Sequence, residues 1–239
     1  MSSVDTNQPE GTPTWMALTA PDLPRATAFY RAVFGWTTRD DLFLLGDRVA
    51  AGFAEGAPAW TTYLATADCD ATAKRVRAAG GQVVEGPAEF GDRARIALAV
   101  DPVGARFGLW QGRELPGCQV VNEPGSLVRN DLTTARPEHA RAFYPQVFGF
   151  TLDRNADLPE LDFTFLRRPD GHEVGGIMGV PGPADSRWAT TFEVADTDET
   201  IARALAAGGK STEPEDFVYG RIATITDPSG VDFGVITRP

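Results

Sequence analysis

The sequence predicts an α+β fold in which two similar domains follow each other along the chain. Three elements recur in the same order: a helix, a strand that begins with tryptophan, and an Asp-Pro-x-Gly turn. Their landmarks are Phe29, Trp60 and Asp101 in the first copy and Phe143, Trp188 and Asp227 in the second. Ordered recurrence of this kind indicates an internal duplication. We predict domains over residues 12–111 and 126–239, with a linker over residues 112–125.

The first helix of each copy carries its own start and stop signals. Asp22 is suited to the N-cap, and Pro24 is tolerated in the first turn, where its missing N–H would have no partner. Gly35 follows the last apolar residue, where a positive φ ends a helix. The apolar residues recur at helical spacing on one face: Ala26, Phe29, Tyr30, Val33 and Phe34. The segment is therefore an amphipathic helix, and residues 136–150 repeat it.

The remaining segments predict strands and one further helix in each half. Apolar or alternating runs in the first copy lie at residues 15–19, 42–45, 49–53, 60–65, 82–84, 94–100 and 105–110. A second helix is expected to begin at Asp70 or Thr72 and to end at Gly80. Each copy thus reads twice as one strand, one helix and three strands, which predicts four βαβββ modules. The second copy has 14 more residues within the segment 151–186, either a specificity loop or a tolerated insertion.

Composition excludes several classes of partner. The formal net charge is −11, so nucleic acid and anionic membranes are not expected to bind. No segment has the roughly 20 apolar residues of a membrane span. The two cysteines, Cys69 and Cys118, predict reduced structural thiols in a cytoplasmic protein. The polar residues 1–11 are expected to be a disordered lead-in.

The repeated motifs resemble the vicinal oxygen chelate superfamily, also called the glyoxalase/bleomycin resistance/dioxygenase superfamily. The resemblance lies in the Phe-Tyr-x-x-Val-Phe-Gly helices and in the Asp-Pro-x-Gly-x-x-Phe-Gly closings that start at Asp101 and Asp227. The resemblance covers almost the whole chain, and the sequence is similar to the tandem two-domain members common in actinobacteria. It implies curved sheets around clefts, in which members chelate a metal, bind a ligand without metal, or have lost the site.

The resemblance also indicates where a metal would be held. Metal-binding members place His, Gln or Glu at three strand positions of each domain. The matched motifs put these positions at Trp15, Thr61 and Gly108 in the first copy and at Arg129, Ala189 and Gly234 in the second. None is an ordinary metal ligand, and arginine repels a cation. His139 and His172 are expected on the surface, so the sequence predicts no metal and no other cofactor.

Strand parity predicts what lines each cleft, since alternate residues share a face. For the first domain we expect ligand-binding roles for Trp15, Tyr63, Arg106 and Trp110, with the alternative that the aromatic rings plug an unused cleft. For the second domain we expect a charged lining that includes Arg129, Asp131, Glu193 and Asp232. Arg129 and Asp131 are either a structural ion pair or a catalytic pair.

Two functions follow as hypotheses. The first is a metal-independent protein that binds and sequesters an aromatic or hydrophobic metabolite or antibiotic, as a monomer or homodimer. The second is a metal-free isomerase, cyclase or lyase of small-molecule metabolism, with Asp131 as acid or base and Arg129 as an oxyanion or carboxylate clamp. A metal-dependent glyoxalase or dioxygenase is a distant third.

Overall fold

The computed structural model describes residues 2–182 and 185–239. Pro183 and Ala184 belong to the segment 151–186, where the sequence predicts the longer connection, and they lie outside the described residues. Among the described residues, no helix is both long and apolar enough to cross a membrane.

The first domain forms one eight-stranded sheet, and the short strand that precedes it in the chain pairs with the sheet of the second domain. The elements in chain order are β1 (Ser2–Ser3), β2 (Pro13–Ala20), α1 (Leu23–Phe34), β3 (Thr37–Arg39), β4 (Leu42–Leu45), β5 (Arg48–Glu55), β6 (Ala59–Ala65), α2 (Cys69–Ala78), β7 (Gln82–Phe90), β8 (Ala94–Val100) and β9 (Arg106–Gly112). The sheet order is β3-β4-β5-β2-β6-β9-β8-β7. Its first and second halves are each one βαβββ module, which confirms the predicted modular fold.

The second domain repeats this topology. Its elements are β10 (Val120–Val121), β11 (Leu127–Thr134), α3 (Pro137–Phe148), β12 (Thr151–Arg154), β13 (Phe163–Arg167), β14 (Glu173–Gly179), β15 (Arg187–Glu193), α4 (Thr197–Ala206), β16 (Lys210–Ser211), β17 (Glu215–Phe217), β18 (Gly220–Thr226) and β19 (Asp232–Thr237). The main order is β12-β13-β14-β11-β15-β19-β18-β16, and β17 also pairs with β18. Strand β10 joins the sheet beside β11 and carries β1 with it.

Helix α1 begins and ends as its sequence predicts. The Arg25 N–H donates to Asp22 Oδ1 at 3.0 Å, and Gly35 has φ of 73°. Helix α3 lacks a side-chain cap because Arg136 stands at the N-cap. The predicted start of α2 at Asp70 or Thr72 is wrong: Asp68 is the cap and accepts from the Ala71 N–H at 2.9 Å.

The two domains pack through the faces that carry the repeated helices. The Trp60 indole donates to Tyr30 Oη at 2.9 Å, and Tyr30 Oη donates to Asp227 Oδ2 at 3.1 Å. The other copy repeats this arrangement: the indole of Trp188 donates to Tyr144 Oη and Tyr144 Oη donates to Asp101 Oδ2, both at 2.8 Å. Each repeated tyrosine thus anchors one domain to the Asp-Pro-x-Gly turn of the other.

Two segments are more ordered than the sequence suggests. The prediction of a disordered lead-in is wrong for residues 2–11, because β1 pairs with β10 and Val4 is buried. Within residues 112–125, which look too polar for a core, Leu115, Cys118 and Val120 are buried. Leu115, Cys118 and Val120 belong to the hydrophobic core, and β1 joins the second sheet through its pairing with β10.

Candidate functional site

The concave face of the first domain is occupied by three aromatic side chains. The rings of Trp15 and Trp110 are stacked with centroids 4.7 Å apart, and Tyr63 meets Trp110 edge-on at 6.0 Å. The exposed fractions of Trp15, Tyr63 and Trp110 are 3%, 8% and 2%. The Trp110 indole also donates to the Leu115 carbonyl at 3.1 Å. Burial raises the pKa of Tyr63 to about 12.

Glycines beneath these rings make room for them. A Cβ atom on Gly52 would lie 2.4 Å from Trp15, and one on Gly108 would lie 1.9 Å from Tyr63. Both distances are far below van der Waals contact, so no side chain fits there without displacing the ring. Gly108 is also the third metal-ligand position that the resemblance implies. In this domain, the Tyr63 ring occupies the space of that ligand.

Arg106, the fourth residue expected to bind a ligand here, does not join the aromatic cluster. It lies at the start of β9, paired in register with Val100, and its side chain is exposed. Among the described residues it has no ion pair or side-chain hydrogen bond. The structure therefore brings together three of the four residues expected for the first domain.

The concave face of the second domain carries a charged cluster instead. Arg129 Nε donates to Asp131 Oδ2 at 2.6 Å, and Arg129 Nη1 donates to Glu173 Oε1 at 2.8 Å. Arg129 and Asp131 are two residues apart on β11, and Glu173 begins the adjacent strand β14. The predicted proximity of Arg129 and Asp131 is therefore present. Glu173 was missed because no repeated motif marks it.

One oxygen of this cluster has no partner. Asp131 Oδ1 is buried and has no hydrogen bond of ordinary geometry with a described residue, while the Gly176 N–H lies close enough to lower the pKa of this carboxyl. Burial raises the pKa of Asp131 above its ordinary value, and the Arg129 guanidinium opposes the rise. A buried acceptor without a donor is costly, about 1–3 kcal/mol, so a ligand hydroxyl that displaces part of its surroundings and reaches this oxygen would gain a hydrogen bond.

Two aromatic rings flank the cluster. The Arg129 guanidinium lies over the rings of Phe163 and Phe165, 5.5 and 5.8 Å from their centroids. The two rings meet edge-on at 5.1 Å, and Arg167 lies over Phe165 at 5.7 Å. Phe163, Phe165 and Arg167 alternate along β13, so strand parity inside the longer segment 151–186 was the available signal for them.

Glu193 and Asp232 lie on the same face but have other partners. Glu193 Oε2 accepts from Arg238, and Asp232 Oδ1 accepts from Thr226 Oγ1 at 2.7 Å. Arg187 Nη1 lies 3.5 Å from Asp232 Oδ2. Thr191 pairs with Arg129 on one side and with Gly234 on the other, so the three residues share one face of the sheet. Glu193 and Asp232 lie two residues from Thr191 and Gly234 and therefore share that face as well. Neither carboxylate contacts the Arg129 cluster directly.

Turns from opposite edges of each sheet meet across its concave face. In the first domain, Arg93 after β7 donates to both carboxylate oxygens of Asp41 after β3, at 2.7 and 2.8 Å. In the second domain, Tyr219 Oη lies 3.4 Å from Asn155 Oδ1 and from Asp157 Oδ2. The mouth of the second concave face is therefore bridged by the weaker contacts.

The residues present do not fit a divalent metal. The six positions implied by the resemblance hold tryptophan, threonine, glycine, arginine, alanine and glycine. Among residues 2–182 and 185–239, no three His, Cys, Asp or Glu side chains are grouped to hold an ion. Arg129 stands at one of these positions, and a guanidinium has no lone pair to offer a metal ion. His139 and His172 are both exposed, as predicted.

A profile of the glyoxalase/bleomycin resistance protein/dioxygenase superfamily matches residues 12–109 and 126–235. The chain belongs to this superfamily. It is 38% identical over 248 residues to "Putative glyoxylase CFP32" of Mycobacterium tuberculosis, covering 95% of each protein. It is 32% identical over 260 residues to "Anthracycline biosynthesis protein DnrV" of Streptomyces peucetius, covering 95% of this chain and 93% of that protein.

Solved structures of superfamily proteins share the fold. The Mn(II)-bound glyoxalase from Novosphingobium aromaticivorans has a TM-score of 0.65 at 17% identity, covering 95% of this chain and 83% of that one. The 2,3-dioxygenase LapB from Pseudomonas sp. KL28 has a TM-score of 0.65 at 17% identity, covering 97% and 95%. At this identity the likeness concerns the fold of the superfamily.

Proposed function

We propose that the concave face of the second domain binds a hydroxylated aromatic small molecule without a metal ion. The observation that carries the proposal is the buried, unpartnered Asp131 Oδ1, whose ion-pair partner Arg129 lies over the rings of Phe163 and Phe165. A ligand hydroxyl would donate to Asp131, and a flat ring system would pack beside the phenylalanines. The first domain, with its face filled by its own rings, would serve as scaffold.

Charge supports a neutral hydrogen-bond donor over an anion as ligand. Two nitrogens of Arg129 already donate to carboxylates. Arg167 Nε donates to Asp153 as well, so the group contains two arginines, Arg129 and Arg167, and three acids, Asp131, Glu173 and Asp153. A negative excess repels a carboxylate and attracts a donor.

The relatives are compatible with an aromatic ligand. The 32% identical DnrV is named for anthracycline biosynthesis, and anthracyclines contain a flat, hydroxylated fused-ring system. We extend this chemistry to the present chain as part of the proposal. Metal independence rests on the donor set: none of the implied ligand positions offers an imidazole or a carboxylate.

The test is a calorimetric titration with 1,8-dihydroxyanthraquinone, with anthraquinone as the comparison compound that lacks donors. We expect the dihydroxy compound to bind more tightly and Asp131→Asn to weaken its binding by about tenfold, the value of one hydrogen bond to a charged group. The exposed Asp47→Asn in the first domain is the matched control and should bind like wild type. Equal affinity of wild type and Asp131→Asn would contradict the proposal.

A second candidate is a metal-free enzyme that uses the same face. The raised pKa of Asp131 favours it, because a desolvated carboxylate is a stronger base. Asp131 would abstract a proton from the bound molecule, and the Arg129 guanidinium would stabilise the developing oxyanion. Mass and absorbance spectra of the recovered compound separate the two: an unchanged compound favours binding, and conversion that is lost in Asp131→Asn favours catalysis.

A further inference from the structure

The N-terminal segment places a carboxylate in a site of the first domain. Glu10 accepts hydrogen bonds from the Ala67 N–H at 3.0 Å, from Thr72 Oγ1 at 3.1 Å and from Thr66 Oγ1 at 3.3 Å. Arg75 forms a short ion pair with the same carboxylate. These donors surround the N-terminal turn of α2, where partial positive charge also favours an anion.

The second domain contains the same site without the carboxylate. The Gly11 N–H donates to the Ala65 carbonyl at 2.8 Å, and the Gly125 N–H donates to the Glu193 carbonyl at 2.7 Å. These equivalent bonds fix the register of the two segments. The residue before Gly11 is Glu10, and the residue before Gly125 is Pro124. Pro124 has no carboxylate to offer.

Helix α4 keeps an arginine and a threonine equivalent to Arg75 and Thr72, which hold the Glu10 carboxylate in the first domain. Arg75 donates from Nε to the Val147 carbonyl at 2.8 Å and from Nη2 to Thr72 Oγ1 at 2.6 Å. Arg203 does the same, to the Val33 carbonyl at 3.2 Å and to Thr200 Oγ1 at 2.7 Å.

Two donors of the first site are altered in the second. Val194 replaces Thr66, and the Thr200 hydroxyl donates to the Asp196 carbonyl at 2.7 Å. The Ala195 N–H, equivalent to that of Ala67, has no acceptor among the described residues.

A cavity of about 320 Å³ lies in the second domain at the position that corresponds to the Glu10 carboxylate of the first domain. Its lining includes Ala195, Arg203 and the apolar residues Val33, Phe34 and Val194. Arg31 also lines it and forms no ion pair with any described residue. Glu199 Oε2 is 3.9 Å from Arg203, but its side chain is 75% exposed and weakly held.

We propose that this cavity binds a small carboxylic acid with a short apolar body. The carboxylate would take the place that Glu10 occupies in the first domain, accepting from the Ala195 N–H and pairing with Arg203 and Arg31. The apolar body would lie against Phe34 and Val194. The volume is at the lower end of small-molecule sites, which limits the ligand to a compact acid. The site shares no residue with the Asp131 cluster and stands independently of the proposed function.

The test follows backbone amides by ¹H–¹⁵N NMR during titration with sodium benzoate. We expect a saturable shift of the Ala195 amide and none of the Ala67 amide. Benzamide, which has the ring without the charge, should cause no comparable shift. An equal response to inorganic phosphate would show a general anion surface and overturn the carboxylate assignment, as would an Ala195 amide that does not move.

Two variants should each give one site the character of the other, by filling the second site or by emptying the first. Pro124→Glu supplies the missing carboxylate within the chain and should weaken benzoate binding at Ala195 at least tenfold, and Arg203→Gln should do the same. Glu10→Ala opens the first site, so benzoate should now shift the Ala67 amide. Unchanged benzoate affinity in a folded Pro124→Glu protein would overturn the proposal. A concentration-dependent dimer that Pro124→Glu abolishes would assign the site to an acidic side chain of another copy and would likewise overturn it.

Discussion

The two concave faces differ in what fills them, although the strands beneath them follow the same order. The matched offsets pair Trp15 with Arg129, Tyr63 with Thr191 and Trp110 with Ile236. In the first domain, all three residues are aromatic and buried. In the second domain, an arginine tied to two carboxylates takes the place of the first ring. The scaffold is thus present twice: one concave face is part of the core, and the other holds a buried polar oxygen, on which the proposed binding rests.

The largest expected effect comes from removing an aromatic ring from the concave face of the first domain. Trp110→Ala should lower the free energy of unfolding by about 3–5 kcal/mol, as for other buried aromatic residues. Urea denaturation followed by circular dichroism measures the loss. The equivalent Ile236→Ala should cost less, because Ile236 is only half-buried. Equal losses at both positions would remove the distinction between a filled and an open face.

The next test probes the interface, where the two domains are alike. Tyr30→Phe and Tyr144→Phe should each lower the free energy of unfolding by about 1–3 kcal/mol, because each leaves a tryptophan N–H and a buried aspartate short of a partner. Urea titrations of the two variants should agree within their errors. A loss in only one of them would show that the interface is not equivalent at its two ends.

The same tyrosines predict a pH dependence. Burial raises the pKa of Tyr30 and of Tyr144 well above the ordinary value, and the neighbouring aspartates add to the rise. As pH increases past about 10, the tyrosines of the unfolded chain lose their protons first, so the folded state loses stability in that range. Thermal unfolding between pH 8 and 11 should show this decline, and it should be shallower in Tyr144→Phe. A decline of the same slope in that variant would contradict the assignment.

A smaller stability effect is expected when the second face receives the residue of the first. Arg129→Trp removes two ion pairs and leaves Asp131, whose side chain is 21% exposed, without its cation, so we expect a net loss of about 1–2 kcal/mol. Binding of 1,8-dihydroxyanthraquinone should disappear, because the indole would fill the space beside Asp131. Calorimetry checks the binding, and the exposed Arg106→Trp is the control that should leave it intact. Retained binding in Arg129→Trp would place the ligand elsewhere.

The smallest effects on the free energy of unfolding are expected where turns meet across each concave face, at Arg93 in the first domain and at Tyr219 in the second. Arg93→Gln removes a bidentate ion pair and should cost up to about 1 kcal/mol, whereas Tyr219→Phe removes only contacts of 3.4 Å and should cost less than about 0.5 kcal/mol. Hydrogen exchange of the two hairpins should be faster around Tyr219 than around Arg93 in the wild type. The reverse order would show that the second mouth is the tighter one.

The duplication explains what the sequence could predict. Caps such as Asp22, stops such as Gly35 and strand parity depend on neighbouring residues. The second copy repeats the stop and the parity, whereas Arg136 replaces the cap. Strand parity also predicts that Asp131 and Arg129 lie next to each other on one face of β11. By contrast, Glu173, Phe163 and Phe165 lie in the longer segment of the second copy, where the first copy offers no guide.

Burial within the linker and the N-terminal segment was missed for a related reason. Cys118 and Glu10 depend on partners more than 50 residues away in the chain, such as the Thr14 carbonyl and Arg75. Composition and periodicity describe local preference, and neither reveals a long-range contact. The ligand role of the first-domain aromatics stays a prediction, and the structure shows their rings packed against one another.

The crossed bonds of Tyr30 and Tyr144 have a consequence for how the protein denatures and how it could be divided. Each half supplies the partner that satisfies a buried group in the other, so neither half should persist folded when the other melts. The chain is in effect a dimer whose subunits are joined by residues 112–125, which pack against both of them and keep their local concentration high. Heat should therefore melt it in one cooperative step. Cut within the tether, the two fragments should associate in solution and regain the fold together.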